Sequence, residues 1–161
     1  MRFILVFLII FATELKAQED FGFIYSWGGI HSYDSFTQIY TKSVCSDEIP
    51  YKTKLELKKE SLLEFKNKLE ELNFWHTNTK DFFDHENDGE QTIITPCEFR
   101  SLFVELGSNT NSVGLTCFSP SKSAELLKKR YKEFFVEIEE KIMTHSAFIK
   151  IQESNYSCII R

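Results

Sequence analysis

The spacing of the hydrophobic residues changes near residue 58, and this change restricts the possible folds more than any other feature. Tyr51, Thr53, Leu55 and Leu57 alternate with charged residues, which is the period of a half-buried β-strand. From residue 59 onward the period becomes that of an amphipathic helix, because apolar side chains recur at intervals of three and four. They are Leu62, Phe65, Leu69 and Leu72. The chain therefore combines strands and helices.

The same two periods predict the other elements. An aromatic strand is predicted over Phe21–Trp27, where every second residue is aromatic and two glycines follow. Four more strands are predicted over residues 35–44, 51–57, 92–106 and 113–118, with a turn at 33–35 and a hairpin loop at 107–112. A second helix is predicted from Ser119 onward. Its apolar stripe comprises Leu127, Tyr131, Phe134, Phe135, Ile138 and Ile142.

Short turns between successive strands predict antiparallel pairing, and each predicted helix has one apolar stripe. The expected fold is therefore α+β, with an antiparallel sheet of about five strands and two amphipathic helices packed on one face. The pair Phe74-Trp75 is expected to insert the end of the first helix into the core. No repeat or linker divides residues 18–161, so we expect one domain.

The first 17 residues have the layout of a cleavable signal peptide. Arg2 makes the start positive, residues 3–12 form an apolar run of ten, and Ala17 is the small residue before the cut. This run is too short for a transmembrane helix, which needs about 20 apolar residues. We expect cleavage after Ala17 and a secreted or periplasmic protein. The alternatives are a buried N-terminal strand and an uncleaved anchor.

Cleavage there leaves 144 residues with 17 basic and 23 acidic side chains, a formal charge of −6. Nucleic acids and anionic membranes need clustered positive charge, so neither is expected as a partner of the cleaved chain. A protein or a small ligand remains as the partner. Charge and composition leave the oligomeric state open.

All four cysteines follow the signal peptide, at Cys45, Cys97, Cys117 and Cys158. An even number in an exported chain predicts disulfides. Cys97 and Cys117 flank the predicted hairpin and are the favoured pair, while Cys45–Cys97 is the alternative pairing. Free buried thiols are a further alternative. The cysteine and histidine spacings do not fit a zinc site.

An acidic loop at residues 84–90 is the candidate metal site. Asp84, Glu86 and Asp88 occupy positions 1, 3 and 5 of a calcium loop, and Gly89 occupies position 6, where the chain turns sharply. Position 12 is Thr95 instead of the usual bidentate glutamate. The residues therefore favour, at most, a weak calcium site. The alternative is an acidic loop that keeps the surface soluble, and no other cofactor is indicated.

The sequence contains no catalytic motif. The histidines His31, His76, His85 and His145 are not spaced as pairs on one helix face, and none accompanies a nucleophile motif. An enzyme is therefore the less favoured interpretation, and a hydrolase whose site is assembled in space is kept as an alternative. The aromatic strand near residue 25 is either a platform that stacks on a ligand or part of the core, and core is favoured.

One segment carries a family resemblance. Asp34, Phe36, Tyr40, Thr41 and Lys42 form the pattern D-x-F-x-x-x-Y-T-K, and this pattern resembles an uncharacterised family of small exported bacterial proteins. In that family a strand, a helix ending in an apolar-aromatic pair, a strand pair and a second helix follow. The resemblance implies this order of elements over residues 30–145. It implies no activity.

These observations favour a binding or interaction module over a calcium-binding module or a hydrolase. A binding module requires an exposed apolar or aromatic patch near residues 34–42. If Asp34, Tyr40 and Lys42 were buried and bonded to one another, the segment would instead be structural.

Overall fold

The computed structural model of the protein describes residues 21–43, 49–78, 99–115 and 125–150. Within these ranges the chain forms six strands, three α-helices and one 3₁₀ helix. The strands are β1 (Phe21–Trp27), β2 (His31–Asp34), β3 (Ile39–Lys42), β4 (Tyr51–Lys54), β5 (Arg100–Leu106) and β6 (Asn109–Leu115). The helices are α1 (Lys59–Glu71), a 3₁₀ turn (Phe74–His76), α2 (Glu125–Met143) and α3 (Ser146–Ile149).

The strands form one antiparallel sheet in the order β4-β3-β2-β1-β5-β6. The register pairs Tyr25 of β1 with Tyr33 of β2 and Leu102 of β5, so buried side chains line up across the sheet. The α+β class is confirmed. The described sheet has six strands where about five were predicted.

The additional strand is β2, which lies before the strand predicted over 35–44 and includes part of the turn predicted at 33–35. The predicted strand contains β3, but the predicted position of the turn was wrong, because the chain turns at residues 35–38 and β2 and β3 form a hairpin on either side. Asp34 Oδ1 accepts the backbone N–H of Phe36 at 2.8 Å and of Thr37 at 3.2 Å. Gln38 adopts a left-handed φ of 57°. An aspartate that binds the amides after it is a local turn signal, and here it outweighs the β-propensity of the segment.

The last hairpin also differs from its prediction. Residues 107–112 were predicted as a loop, but β6 already begins at Asn109, and only Gly107 and Ser108 separate the two strands. Gly107 has a φ of +59°. A two-residue hairpin turn of type II′ requires such a φ at its first position, and glycine adopts it without strain.

The strand predicted over residues 51–57 is shorter in the structure. β4 ends at Lys54, while Leu55 and Leu57 beyond it are buried.

The two long helices pack on one face of the sheet, as the sequence predicted. Phe65 of α1 packs edge-on against Phe23 of β1, with ring centroids 5.8 Å apart. Phe135 of α2 packs against Tyr25 at 5.3 Å, and the two helices meet where Phe65 contacts Phe134 at 5.9 Å. These aromatic contacts form the centre of the core.

The predicted apolar stripe of α2 is confirmed, with Leu127 half-buried and its other five members fully buried. The predicted insertion after α1 is confirmed for Phe74, which is buried, whereas Trp75 is half-buried. After α2 the chain turns into α3, and Phe148 packs against Tyr40 at 5.1 Å. The two faces of β3 are therefore not equivalent, since the core covers the face on which Tyr40 lies.

Candidate functional site

The candidate site lies on the outer face, defined as the face of the sheet opposite α1 and α2. Side chains alternate along each strand, so Ile24 points away from the helices while Phe23 and Tyr25 point towards them. Ile24 and Ile39 are 39% and 36% exposed, and Phe36 in the β2–β3 turn is 48% exposed. Phe103 of β5 is half-buried. We call the four residues Ile24, Phe36, Ile39 and Phe103 the apolar patch.

The strand register places three members of the apolar patch in one row. Ile24 is opposite Phe103 on β5 and opposite Asp34 on β2, and Asp34 is in turn opposite Ile39 on β3. Directly opposed residues of neighbouring antiparallel strands have their Cβ atoms about 5 Å apart. The apolar side chains therefore share one row that crosses four strands, interrupted by a single carboxylate.

Phe36 lies beside this row because its ring packs over Gly22, which is two residues from Ile24 on β1. The Phe36 ring lies over Gly22 of β1, and a Cβ at residue 22 would overlap three of its ring carbons. Glycine is thus required for the close approach of the ring to the sheet, a common reason for glycine inside a strand. The ring covers Gly22, which is buried, and presents its remaining surface to solvent.

The β2–β3 turn holds Phe36 in place through bonds to β1. The backbone N–H of Ser35 donates to the carbonyl of Phe23 at 2.9 Å, and the Ser35 hydroxyl accepts the Phe23 N–H at 2.7 Å. Asp34 adds its two bonds to the turn amides. The turn is therefore fixed at both ends, and its aromatic side chain is positioned before any partner binds.

A row of hydroxyl groups runs beside the apolar patch on the outer face. Ser26 is opposite Ser32 and Ser101, and Ser32 is opposite Thr41. The two rows extend onto β4 with lysines, and one acidic side chain lies on β5. These charged residues are Lys52, Lys54 and Glu105. The outer face therefore offers an apolar row, a row of hydrogen-bonding groups beside it, and four charged residues, Asp34, Lys52, Lys54 and Glu105.

The residues of the D-x-F-x-x-x-Y-T-K pattern divide between the two faces. Asp34, Phe36 and Thr41 lie on the outer face, while Tyr40 is buried on the helix side and its hydroxyl is 2.6 Å from Nδ1 of His31. Lys42 is opposite His31 at the end of the same hairpin. Asp34, Tyr40 and Lys42 are not bonded to one another, so the condition for a purely structural segment is not met.

A second polar cluster lies on the helix side of the sheet. Glu139 of α2 accepts the Tyr25 hydroxyl at 2.5 Å and Nε of Arg100 at 2.7 Å. Burial and the Glu139 carboxylate raise the pKa of Tyr25, so this phenol stays protonated. Trp27 stacks on Tyr25 at 5.3 Å and on His31 at 4.9 Å. These groups satisfy one another, which is the pattern of a structural network.

His31 makes the stability of the fold depend on pH. Burial, reinforced by the nearby Lys42, lowers the pKa of His31 below 6.5, and Glu139 opposes this. His31 of the unfolded chain binds a proton more readily than His31 of the folded chain. The contribution of neutral His31 to the free energy of unfolding is therefore complete above pH 6.5 and is lost as pH falls through the folded pKa. We expect urea unfolding of His31→Gln to show a flatter pH dependence between pH 7 and 5 than the wild type. His76→Gln, at an exposed site, is the control, and parallel profiles for His31→Gln and wild type would contradict the assignment.

The described histidines do not form a catalytic arrangement. His31 contacts Tyr40, His76 contacts Asn73 in its own turn, and Nδ1 of His145 accepts the Ala147 N–H at 3.1 Å to cap α3. A charged groove of about 710 Å³ between α1 and α2 is crossed by ion pairs of Lys141 with Glu64 and of Lys68 with Glu137. These two ion pairs are exposed, so they do not form a preorganised site.

The proposed calcium ligands Asp84, Glu86 and Asp88 lie outside the described residues, and so do all four cysteines with the pair Cys97–Cys117. Among residues 21–43, 49–78, 99–115 and 125–150, no group of three metal-binding side chains converges. The calcium site and the disulfide pairing therefore remain predictions of the sequence.

The calcium prediction is tested by thermal unfolding. At tenfold excess over its dissociation constant, a ligand of the native state contributes about 1.4 kcal/mol. For a chain of this length that raises Tm by about 3–5 °C. We expect this shift in millimolar calcium and its loss in Asp84→Asn/Asp88→Asn. Unchanged Tm in millimolar calcium would show that the loop is only a solvated surface loop.

The exposed apolar patch was required by the sequence-based hypothesis, but its members were not identified. Ile39 and Phe36 were both assigned to one strand, and Ile24 to a strand whose opposite side is aromatic. The alternation of side chains along β1 was the available signal, because it places Ile24 on the face opposite the buried residues 23, 25 and 27. A large apolar residue on that side of an antiparallel sheet marks a face that is not simply solvated.

Comparison with known proteins adds no assignment: no protein-family model matches the chain, and no curated protein is a significant relative. Within the described ranges, no helix has both the length and the apolar character needed to cross a membrane.

Proposed function

We propose that this chain is an exported binding module that engages a protein partner through the apolar patch. The proposal depends on one observation: Ile24, Phe36 and Ile39 are exposed on one face of three neighbouring strands and their turn, and the described helices leave that face uncovered. Export is the expectation from the signal-like residues 1–17.

Folding alone does not account for these side chains. The outer face of a sheet with one buried face is normally polar, and the neighbouring hydroxyl row of Ser26, Ser32 and Thr41 follows that rule. The apolar patch departs from it on the same strands. Contiguous apolar surface on a soluble protein is typical of a binding site.

The shape of the patch favours a protein over a small molecule. Small ligands bind in concave pockets, whereas the outer face is built from a continuous sheet with side chains in rows. Protein interfaces combine an apolar centre with a polar rim that supplies hydrogen bonds. The patch and its hydroxyl row have this arrangement.

Site-specific photo-crosslinking tests the proposal. Benzoylphenylalanine is placed at Ile39 in the patch or at Leu63, which is 42% exposed on α1. The variants are expressed in cells that naturally make the chain, and adducts are identified by mass spectrometry. We expect a defined adduct from position 39 and none from position 63. Equal adducts from both positions, or none from position 39, would contradict the proposal.

Gly22→Ala provides a matched perturbation. The new Cβ displaces the Phe36 ring, so the shape of the patch changes while its exposed side chains are kept. We expect the adduct from position 39 to fall at least fivefold, with about 1 kcal/mol lost from the free energy of unfolding. Leu63→Ala, on α1 and away from the outer face, should leave the adduct yield unchanged. A full adduct yield in Gly22→Ala would show that Phe36 is not part of the binding surface.

A further inference from the structure

The order of outer-face side chains across the sheet shows which protein fits this surface. One row comprises Lys54, Ile39, Asp34, Ile24, Phe103 and Ser112, in the strand order β4-β3-β2-β1-β5-β6. The neighbouring row comprises Lys52, Thr41, Ser32, Ser26, Ser101 and Gly114. Both rows have a lysine at the β4 end and a small neutral member at the β6 end.

We propose that the partner is a second copy of this chain, packed outer face to outer face about a two-fold axis parallel to the strands. The inference rests on the proposed function, for which it names the partner. Such an axis, placed between β1 and β2, exchanges β3 with β5 and β4 with β6. The resulting contact is isologous, since each copy uses the same surface.

Under this axis, side chains of like character meet. Ile39 faces Phe103 of the second copy, and Phe103 faces its Ile39. In the second row Thr41 faces Ser101, and Ser32 faces Ser26. Ile39 and Phe103 therefore contact apolar residues, and hydroxyl groups contact hydroxyl groups with which they can form hydrogen bonds.

The charges select this axis over the perpendicular one. With the two-fold parallel to the strands, Lys54 faces the small neutral Ser112, and Lys52 faces Gly114. A two-fold perpendicular to the strands would set each strand against itself, so the lysines of β4 would meet lysines of the second β4. Like charges in direct opposition are strongly unfavourable at an interface.

Asp34 is the one charged group near the centre of the proposed contact, where it faces Ile24. Its Oδ1 already accepts hydrogen bonds from the backbone N–H groups of Phe36 and Thr37, so part of the carboxylate is hydrogen-bonded within the turn. This residue weakens the association without preventing it.

The size of the surface predicts a weak dimer. Two rows of the outer face cross six strands, and a third row, made of Gly22, Glu105 and Thr110, crosses three. Together they cover about 500 Å² per copy at ordinary strand spacing. A standard interface buries about 800 Å² per partner, so the expected dissociation constant is micromolar. Two twisted sheets that stack in this way have their strands inclined by about 30°.

Sedimentation equilibrium of the mature chain tests the inference by charge exchange. Ile39→Lys and Phe103→Glu should each raise the dimer dissociation constant at least tenfold. An equimolar mixture of the two variants should restore association. In the mixed dimer the introduced lysine faces the introduced glutamate at one contact, and the native Ile39–Phe103 contact forms at the other. Leu63→Lys, on α1, should dimerise like the wild type.

Two outcomes would overturn the inference: a wild-type chain that stays monomeric up to millimolar concentration, or a mixture that associates no better than the single variants. Circular dichroism checks that each variant is folded.

The crosslinking experiment separates the two proposals. A position-39 adduct with a different chain, from a monomeric protein, would refute self-association and keep the binding module, whereas no adduct in a monomeric protein would refute both.

Discussion

Replacing Glu139 by glutamine is expected to lower the free energy of unfolding by about 2–3 kcal/mol. The carboxylate accepts hydrogen bonds from the Tyr25 hydroxyl and from the guanidinium of Arg100. The Arg100 side chain is only 12% exposed. Glutamine keeps the shape but removes the negative charge, so Arg100 loses its ion pair with Glu139 at a position where its side chain is nearly buried. Removing one charge from a nearly buried pair costs more than the intact pair contributes.

Glu137→Gln is the matched control for this experiment. It lies two positions earlier on α2, but its carboxylate is exposed and is 3.8 Å from Lys68, which is also exposed. Exposed pairs contribute little, so we expect a change below about 0.5 kcal/mol. Urea unfolding at pH 7 measures both variants. If the two variants lost equal stability, the Glu139 network would not be a structural feature of the core.

Phe65→Ala is expected to have the larger effect, about 3–5 kcal/mol. The Phe65 ring is buried and packs against Phe23 of the sheet and Phe134 of α2, so it joins three elements. Its removal leaves a cavity between a sheet and two helices, and rigid elements close such a cavity poorly. The loss therefore includes both the transfer free energy of the ring and the cost of the cavity.

Leu63→Ala, two positions earlier on α1, tests whether that loss is specific. Leu63 is 42% exposed, so truncation should cost less than about 1 kcal/mol. Thermal and urea unfolding of both variants give the comparison. A loss below about 1 kcal/mol for Phe65→Ala would mean that the contact between the sheet and the two helices is not the centre of the core.

The two faces of the sheet therefore have separable roles. Variants on the helix side, such as Phe65→Ala, should change stability, whereas Ile39→Lys on the outer face should change association and leave stability nearly unchanged. This separation follows from side-chain alternation, since neighbouring residues of one strand point to opposite faces. It allows binding to be altered without unfolding the chain.

The elements predicted well from sequence were those with a strong local period. β1 was predicted with its observed bounds, and α1 and the stripe of α2 agree with the structure because one-sided burial repeats over several turns. The β2–β3 hairpin was missed because its strands are four residues long each and their turn depends on one aspartate and a left-handed Gln38. Short strands carry too few residues for a period to be recognised.

The sequence by itself determined the α+β class and which side of each long element is buried, because those properties depend on the spacing of apolar residues along the chain. Only the tertiary structure decided that Ile24, Phe36, Ile39 and Phe103 are neighbours. These residues are distant in the chain, and their adjacency comes from the strand order and the register of backbone hydrogen bonds. Register depends on how whole strands pair, so the pattern of a single strand does not by itself determine its neighbours.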